Sequence, residues 1–200
     1  MPVRLYEQGM YYIGSQFRKQ LNTKSVQYPW NHYVRLAYFD ALTYGGAGQG
    51  MKAAWRFNQF ARAPHNRPMM ALANELELMK TSANVCFDKT SNADYAVASA
   101  MTTITWGGGP VMLDDFFYGR KDATSESECN DITNVPHAGN YAENMMAKGF
   151  TAEQVVALAN CEAFGVVRSP SNERWSNNPR FDNYYYQALL TASDDENLPL

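Results

Sequence analysis

The segment from Thr151 to Gly165 constrains this chain more tightly than any other. Its opening residues, Thr151-Ala152-Glu153-Gln154, have the form of a capping box, in which the threonine hydroxyl and the glutamine side chain each satisfy a backbone N–H at the start of a helix. Past that start, Val155, Leu158, Ala159, Glu162 and Val166 recur at helical spacing and share one stripe. The stripe is apolar apart from Glu162, so burying it carries a carboxylate inward, where an unpaired charge is costly. Any fold for this chain must bury a helix here and give Glu162 a setting.

The same periodicity governs the rest of the sequence. A first helix is expected over Val3 to Gln20, and a second over Asn31 to Leu42 with Val34, Ala37, Tyr38 and Ala41 on its core stripe. The glycine tract Gly45 to Gly50 breaks the pattern and reads as a flexible loop. It follows a helix and lacks both G-x-G-x-x-G after a strand and G-K-[ST], so it is no phosphate cradle. A third helix is expected over Arg67 to Lys80, opened by Pro68 and carrying Met69, Leu72, Ala73, Leu76 and Met79 on one face. A fourth spans Asp94 to Thr105 and ends at Gly107-Gly108-Gly109-Pro110, through which no helix continues. A long loop then runs to about Pro136, its Ser125 to Glu128 stretch expected to be mobile. The last helix runs from Asn178 or Pro179 to Leu190, and 193–200, with Asp194-Asp195-Glu196, form a solvated acidic tail. No internal repeat and no second composition regime interrupt the chain, which reads as one all-α domain over 1–200.

Two hundred residues suffice for one core that buries roughly 70% of the unfolded surface, without a disulfide or metal. The formal charge of -3 and a pI near 5.6 offer no basic face for nucleic acid. No uninterrupted apolar run has the length of a membrane span, so no transmembrane segment is expected. Met1 to Lys19 lacks the apolar block of a secretory signal. Cys86, Cys129 and Cys161 include no C-x-x-C pair, and their odd number leaves room for one bridge at most.

Four segments, in order, resemble the class I haem peroxidases, the ascorbate peroxidase and cytochrome c peroxidase group. Val34-Arg35-Leu36-Ala37-Tyr38-Phe39 is similar to that family's distal helix, L-R-L-A-W-H, and Ala63-Pro64-His65-Asn66 follows it. Asn92-Ala93-Asp94-Tyr95, Gly108-Gly109-Pro110 and Gly119-Arg120-Lys121-Asp122 are similar to Y-A-D-F, G-G-P and G-R-x-D. Val155 to Gly165 resembles the proximal V-A-L-S-G-G-H-T-I-G helix, and Trp175 to Tyr185 resembles W-T-S-N-P-x-x-F-D-N-x-Y-F. The likeness runs from Tyr33 to Leu190 and implies a haem-peroxidase fold with a shortened C-terminus.

Carried over residue by residue, the resemblance implies a haem pocket without its working parts. Peroxide cleavage requires a distal imidazole to move a proton and a guanidinium to stabilise developing charge. Arg35 keeps the guanidinium, but Phe39 stands where the family has its histidine and Tyr38 where it has tryptophan. Asn66 matches the residue that orients the distal imidazole, and Trp175 the proximal tryptophan. The iron-binding histidine falls on Glu162, and a carboxylate is not among the usual axial ligands. The family's second carboxylate, which orients the proximal imidazole, belongs to a region beyond Leu200. Cys161 is the alternative ligand because thiolate binds haem elsewhere, yet it sits one residue and about 100° around the helix from Glu162. His32, His65 and His137 match no ligand position. No catalytic residue, haem or metal is therefore expected, and Arg35 and Glu162 are expected to approach each other across the filled pocket.

The function implied is a catalytically inactive, ascorbate-peroxidase-like protein, a structural or protective accessory subunit of a larger complex, membrane-embedded hosts included. The resemblance implies an organelle, with the chloroplast and its thylakoid lumen favoured, a photosynthetic complex as host, and the mitochondrion second. The rival reading is a haem-binding peroxidase or sensor with atypical axial ligation. Redox sensing by Cys129 or Cys161 ranks third, since neither has an activating charge in sequence view.

Overall fold

A computed structural model describes residues 32–44, 50–57, 70–82, 90–112, 116–129, 140–159, 161, 183, 186–187 and 190. Five α-helices stand out: α1 (His32–Ala41), α2 (Met70–Ser82), α3 (Asn92–Trp106), α4 (Tyr141–Ala147) and α5 (Ala152–Ala159), with a 3-10 turn at Ala54–Arg56. Among the described residues there is no strand, and the fold class is all-α as expected.

The most extensive helix pairing joins α1 to α3. α3 permits this closeness because Ala93, Ala96, Ala98, Ser99 and Ala100 are all buried and short. Its buried hydroxyls bond back within the helix, Ser99 Oγ to the Tyr95 carbonyl at 2.8 Å and Thr103 Oγ1 to the Ser99 carbonyl at 2.7 Å. Burying them therefore leaves no polar group unsatisfied.

α1 is buried on nearly every side, which corrects the expectation of a single stripe. Val34, Ala37 and Tyr38 are buried as expected, but so are Tyr33, Leu36, Phe39 and Asp40, while Ala41 is exposed. A helix enclosed in this way belongs to the centre of a domain. Leu72, Ala73 and Leu76 place α2 against the same core.

Helix starts follow the local chemistry. α3 begins two residues before the expected Asp94, where the Ser91 side chain accepts the Asp94 N–H at 3.0 Å. α5 opens with the expected capping box: Thr151 N–H donates to Gln154 Oε1 at 2.9 Å, and Gln154 N–H to Thr151 Oγ1 at 3.3 Å. α4, absent from the sequence reading, ends in Lys148 and Gly149, whose φ of +95° suits glycine and turns the chain into α5.

The Ser125 to Glu128 stretch is not the loose segment expected. Glu128 accepts both the Thr124 N–H and the Thr124 hydroxyl, at 2.9 and 2.7 Å, and closes a compact turn that buries Cys129. The helix expected over Val3 to Gln20 and the tail 193–200 lie outside the described residues, as does α5 beyond Ala159 apart from Cys161. Of the final expected helix, Tyr186, Gln187 and Leu190 are helical, and the Gln187 N–H bonds to the Asn183 carbonyl at 3.1 Å.

Candidate functional site

α1 carries Arg35, Tyr38 and Phe39, three of the residues singled out from sequence. Arg35 and Phe39 are four apart and share a face, and the Arg35 guanidinium carbon sits 5.2 Å from the Phe39 ring centroid. Tyr38 meets Phe39 edge to face, with centroids 5.6 Å apart and planes at 61°. Its hydroxyl donates to the Tyr141 hydroxyl at 2.6 Å, which ties α1 to the first residue of α4. Lys148 Nζ adds a second tie by donating to the Leu42 carbonyl at 2.6 Å, just beyond the end of α1.

Tyr38 is 7% exposed and Phe39 3% exposed, so protein atoms alone cover both rings. The distal wall of a haem site needs a proton carrier beside the guanidinium and a face open to the group. Phe39 ends in carbon, and Arg35 lies over its ring. Phe39 therefore supplies no proton carrier beside Arg35. His32, one turn before Arg35, is 6% exposed, and burial, aided by the Arg35 charge, pushes its pKa down to about 4. It stands three residues on the other side of Arg35 from the family's imidazole position and is neutral at ordinary pH.

On α5 and just beyond it, Val155 is buried and Leu158 and Cys161 pack against the core. The Tyr186 hydroxyl lies 2.9 Å from the Val156 carbonyl and 3.2 Å from that of Ala157, covering acceptors that the last turn of a helix leaves open. Burial and the nearby Cys161 raise the Tyr186 pKa. Asn66, Glu162 and Trp175 lie outside the described residues, and with them the expected meeting of Arg35 and Glu162. Among the described residues, no group of three or more His, Cys, Asp or Glu side chains could hold a metal ion.

Three carboxylates that sequence reasoning gave no role organise the scaffold behind this wall. Asp40 is fully buried and accepts the Ala53 and Ala54 N–H groups at 2.8 and 2.9 Å. Asp94 accepts the Gly119 N–H at 2.7 Å and pairs with Arg120 Nη1 at 2.9 Å. Asp122 accepts the Asn92 and Ala93 N–H groups at the head of α3, both at 2.9 Å, and faces Arg56 Nη1 at 3.5 Å. The quoted motifs contained Asp94 and Asp122, and Asp40 directly follows Phe39, but nothing local marked their partners.

The Cys129 thiol is free and buried, and burial pushes its pKa up to about 11. A thiol held protonated is a poor nucleophile, which argues against redox sensing at this residue. Among the described residues no helix is long and apolar enough to cross a membrane.

A family model described as Peroxidase matches residues 14–197 of this chain. A curated relative, Peroxidase 47 of Arabidopsis thaliana, is 33% identical over 92 residues, covering 44% of this chain and 27% of its own length. The chain thus aligns with little more than a quarter of that relative. No solved structure matches it.

Proposed function

The chain belongs to the peroxidase family, and from that premise we propose that it is a non-catalytic member, closest in motif to the class I group, that serves as a structural or protective accessory subunit of a larger organellar complex. The observation that carries this reading is the wall built by α1. Phe39, at the position of the family's proton-transferring histidine, is buried beneath the Arg35 guanidinium, and the neighbouring Tyr38 hydroxyl is engaged by Tyr141. A phenyl group moves no proton, so the guanidinium has no acid–base partner at that position.

The accessory role follows from a fold kept while its reacting groups are replaced. The choice of host rests on the family resemblance alone, with a photosynthetic complex of the thylakoid as the first candidate and a respiratory one as the second; fold-level analogy does not choose between them.

Titrating the purified protein with haem tests the first part: no stoichiometric Soret band and no peroxide turnover above free haem are expected. Uptake of one haem with turnover would instead establish an enzyme of unusual ligation. For the second part, the protein extracted from native membranes is expected to migrate with a large assembly on size exclusion, and recovery solely as a monomer would exclude that role.

A further inference from the structure

The backbone between Phe116 and Asp122 is held at several points. Asp94, itself buried, accepts the Gly119 N–H at 2.7 Å and the Arg120 N–H at 3.3 Å, and pairs with Arg120 Nη1 at 2.9 Å. The same Nη1 donates to the Phe117 carbonyl, and the guanidinium carbon lies 5.4 Å from the centroid of the buried Phe116 ring. Asp122 fixes the far end to the head of α3 through the Asn92 and Ala93 N–H groups. Between these anchors Phe117 is 77% and Tyr118 59% exposed. Two large neighbouring rings are thus displayed in water on a segment already ordered by the fold. That removes much of the ordering cost a contact would otherwise carry.

The charges on either side of the rings identify what fits them. In sequence Asp114-Asp115 precede Phe117-Tyr118 and Arg120-Lys121 follow it, each charged pair at the same distance from the midpoint of the aromatic pair. Laid antiparallel against a second copy, the stretch sets Phe117 opposite Tyr118 and Asp114 opposite the exposed Lys121. A surface of this kind is complementary to itself, as a two-fold contact requires, and every pairing in it occurs twice. Arg120 falls opposite Asp115, but Asp94 already meets its charge, which leaves the electrostatic matching chiefly to Lys121. Acid and base alternate along the stretch, so it offers no single sign of charge to an anionic lipid surface.

We propose that the Phe117–Tyr118 segment is a homodimer contact, in which the rings of two copies stack across a two-fold axis and Lys121 of each copy meets Asp114 of the other. At their observed exposure the two rings offer roughly 250–300 Å² per copy. The pair of copies therefore buries about 500–600 Å² of ring surface, well under the ~1,200 Å² at which permanent interfaces begin. The dimer is accordingly weak and concentration-dependent, with a dissociation constant in the micromolar range. It does not depend on whether the chain takes up haem.

Sedimentation velocity of the full chain at low ionic strength, from about 5 to about 500 µM, tests the contact. The expected result is a monomer at the dilute end that passes to a dimer at the concentrated end. Phe117→Ser, at an exposed position, should melt as the unsubstituted chain does and weaken the dimer by at least about 100-fold. Lys121→Asp and Asp114→Lys each set like charges against one another twice, and each alone should weaken it about tenfold or more. An equimolar mixture of those two variants should regain the lost affinity, because every pairing in the mixed dimer again joins opposite signs. A chain that stays monomeric throughout, alone or bound to phosphatidylcholine–phosphatidylglycerol vesicles, would overturn the proposal. So would a dimer that tolerates Phe117→Ser, or a mixture that associates no better than its components. Should Phe117→Ser melt early, the mixing experiment decides.

Discussion

The aromatic wall on α1 and the carboxylate scaffold behind it solve the problem of burial in opposite ways. Across the wall, Phe39 and Tyr38 pack ring against ring, and the remaining charge, Arg35, rests over the Phe39 ring. In the scaffold, Asp40, Asp94 and Asp122 remain acidic, and each accepts at least two backbone N–H groups. The contrast teaches that one helix can be sealed on one side by packed rings and tied on another by a buried carboxylate that holds a neighbouring turn.

The largest test of that contrast is Phe39→Ala. A sealed ring leaves a cavity when removed, so a loss of about 4 kcal/mol in denaturant unfolding is expected. A loss below about 1 kcal/mol would mean that the ring faces open space, and the wall would have to be redrawn. Asp94→Ala probes the scaffold: it removes the partner of Arg120 and leaves two N–H groups without their acceptor, and a cost of about 2 kcal/mol is expected by the same measurement. An effect as small as that of a surface ion pair would make the scaffold dispensable.

Smaller effects sharpen the comparison. Tyr38→Phe keeps the ring and removes only the hydroxyl bonded to Tyr141, for an expected loss of about 1 kcal/mol. Thr151→Ala removes an exposed cap remote from both regions and should cost slightly less, about 0.5–1 kcal/mol, chiefly by fraying the first turn of α5.

The gentlest test is a pH profile of thermal unfolding. His32, held at about 4 in the folded chain against an ordinary 6.5, contributes stability above 6.5 that is lost as pH falls towards 4. Asp40 acts in the opposite direction, its contribution being lost as pH rises from 3.8 to about 7. The two nearly offset each other in wild type between these limits. His32→Gln should therefore reveal a decline of stability with rising pH, and a flat profile in that variant would remove Asp40 from the account.

What could be read from the sequence was whatever neighbouring residues encode. The Thr151–Gln154 cap, the glycine stop after α3 and the buried Leu72–Leu76 face depend on spacing within a few residues, and the structure has them as expected. Phe39 and Tyr38 were placed in the site through a motif, but their engagement by Arg35 and Tyr141 depends on how helices meet. Tyr141 itself lies on a seven-residue helix too short to leave a periodic signal. Asp40 looks in sequence like an ordinary solvated acid near a helix end, and only the return of the chain at Ala53 shows why it is inside. Ser125 to Glu128 looked loose because its composition is polar, yet Thr124 and Glu128 satisfy one another four residues apart.

The encirclement of α1 also sets a timetable. Tyr38 waits for a partner 103 residues further along, and the Leu42 carbonyl for one 106 residues on. At ribosomal speeds of about 5–20 residues per second, that is a delay of roughly 5–20 s during which a newly made, mostly apolar helix lacks part of its cover, even once α2 and α3 have emerged. A chaperone that shields the emerging segment from Tyr33 to Leu42 would meet the nascent protein at its most vulnerable moment.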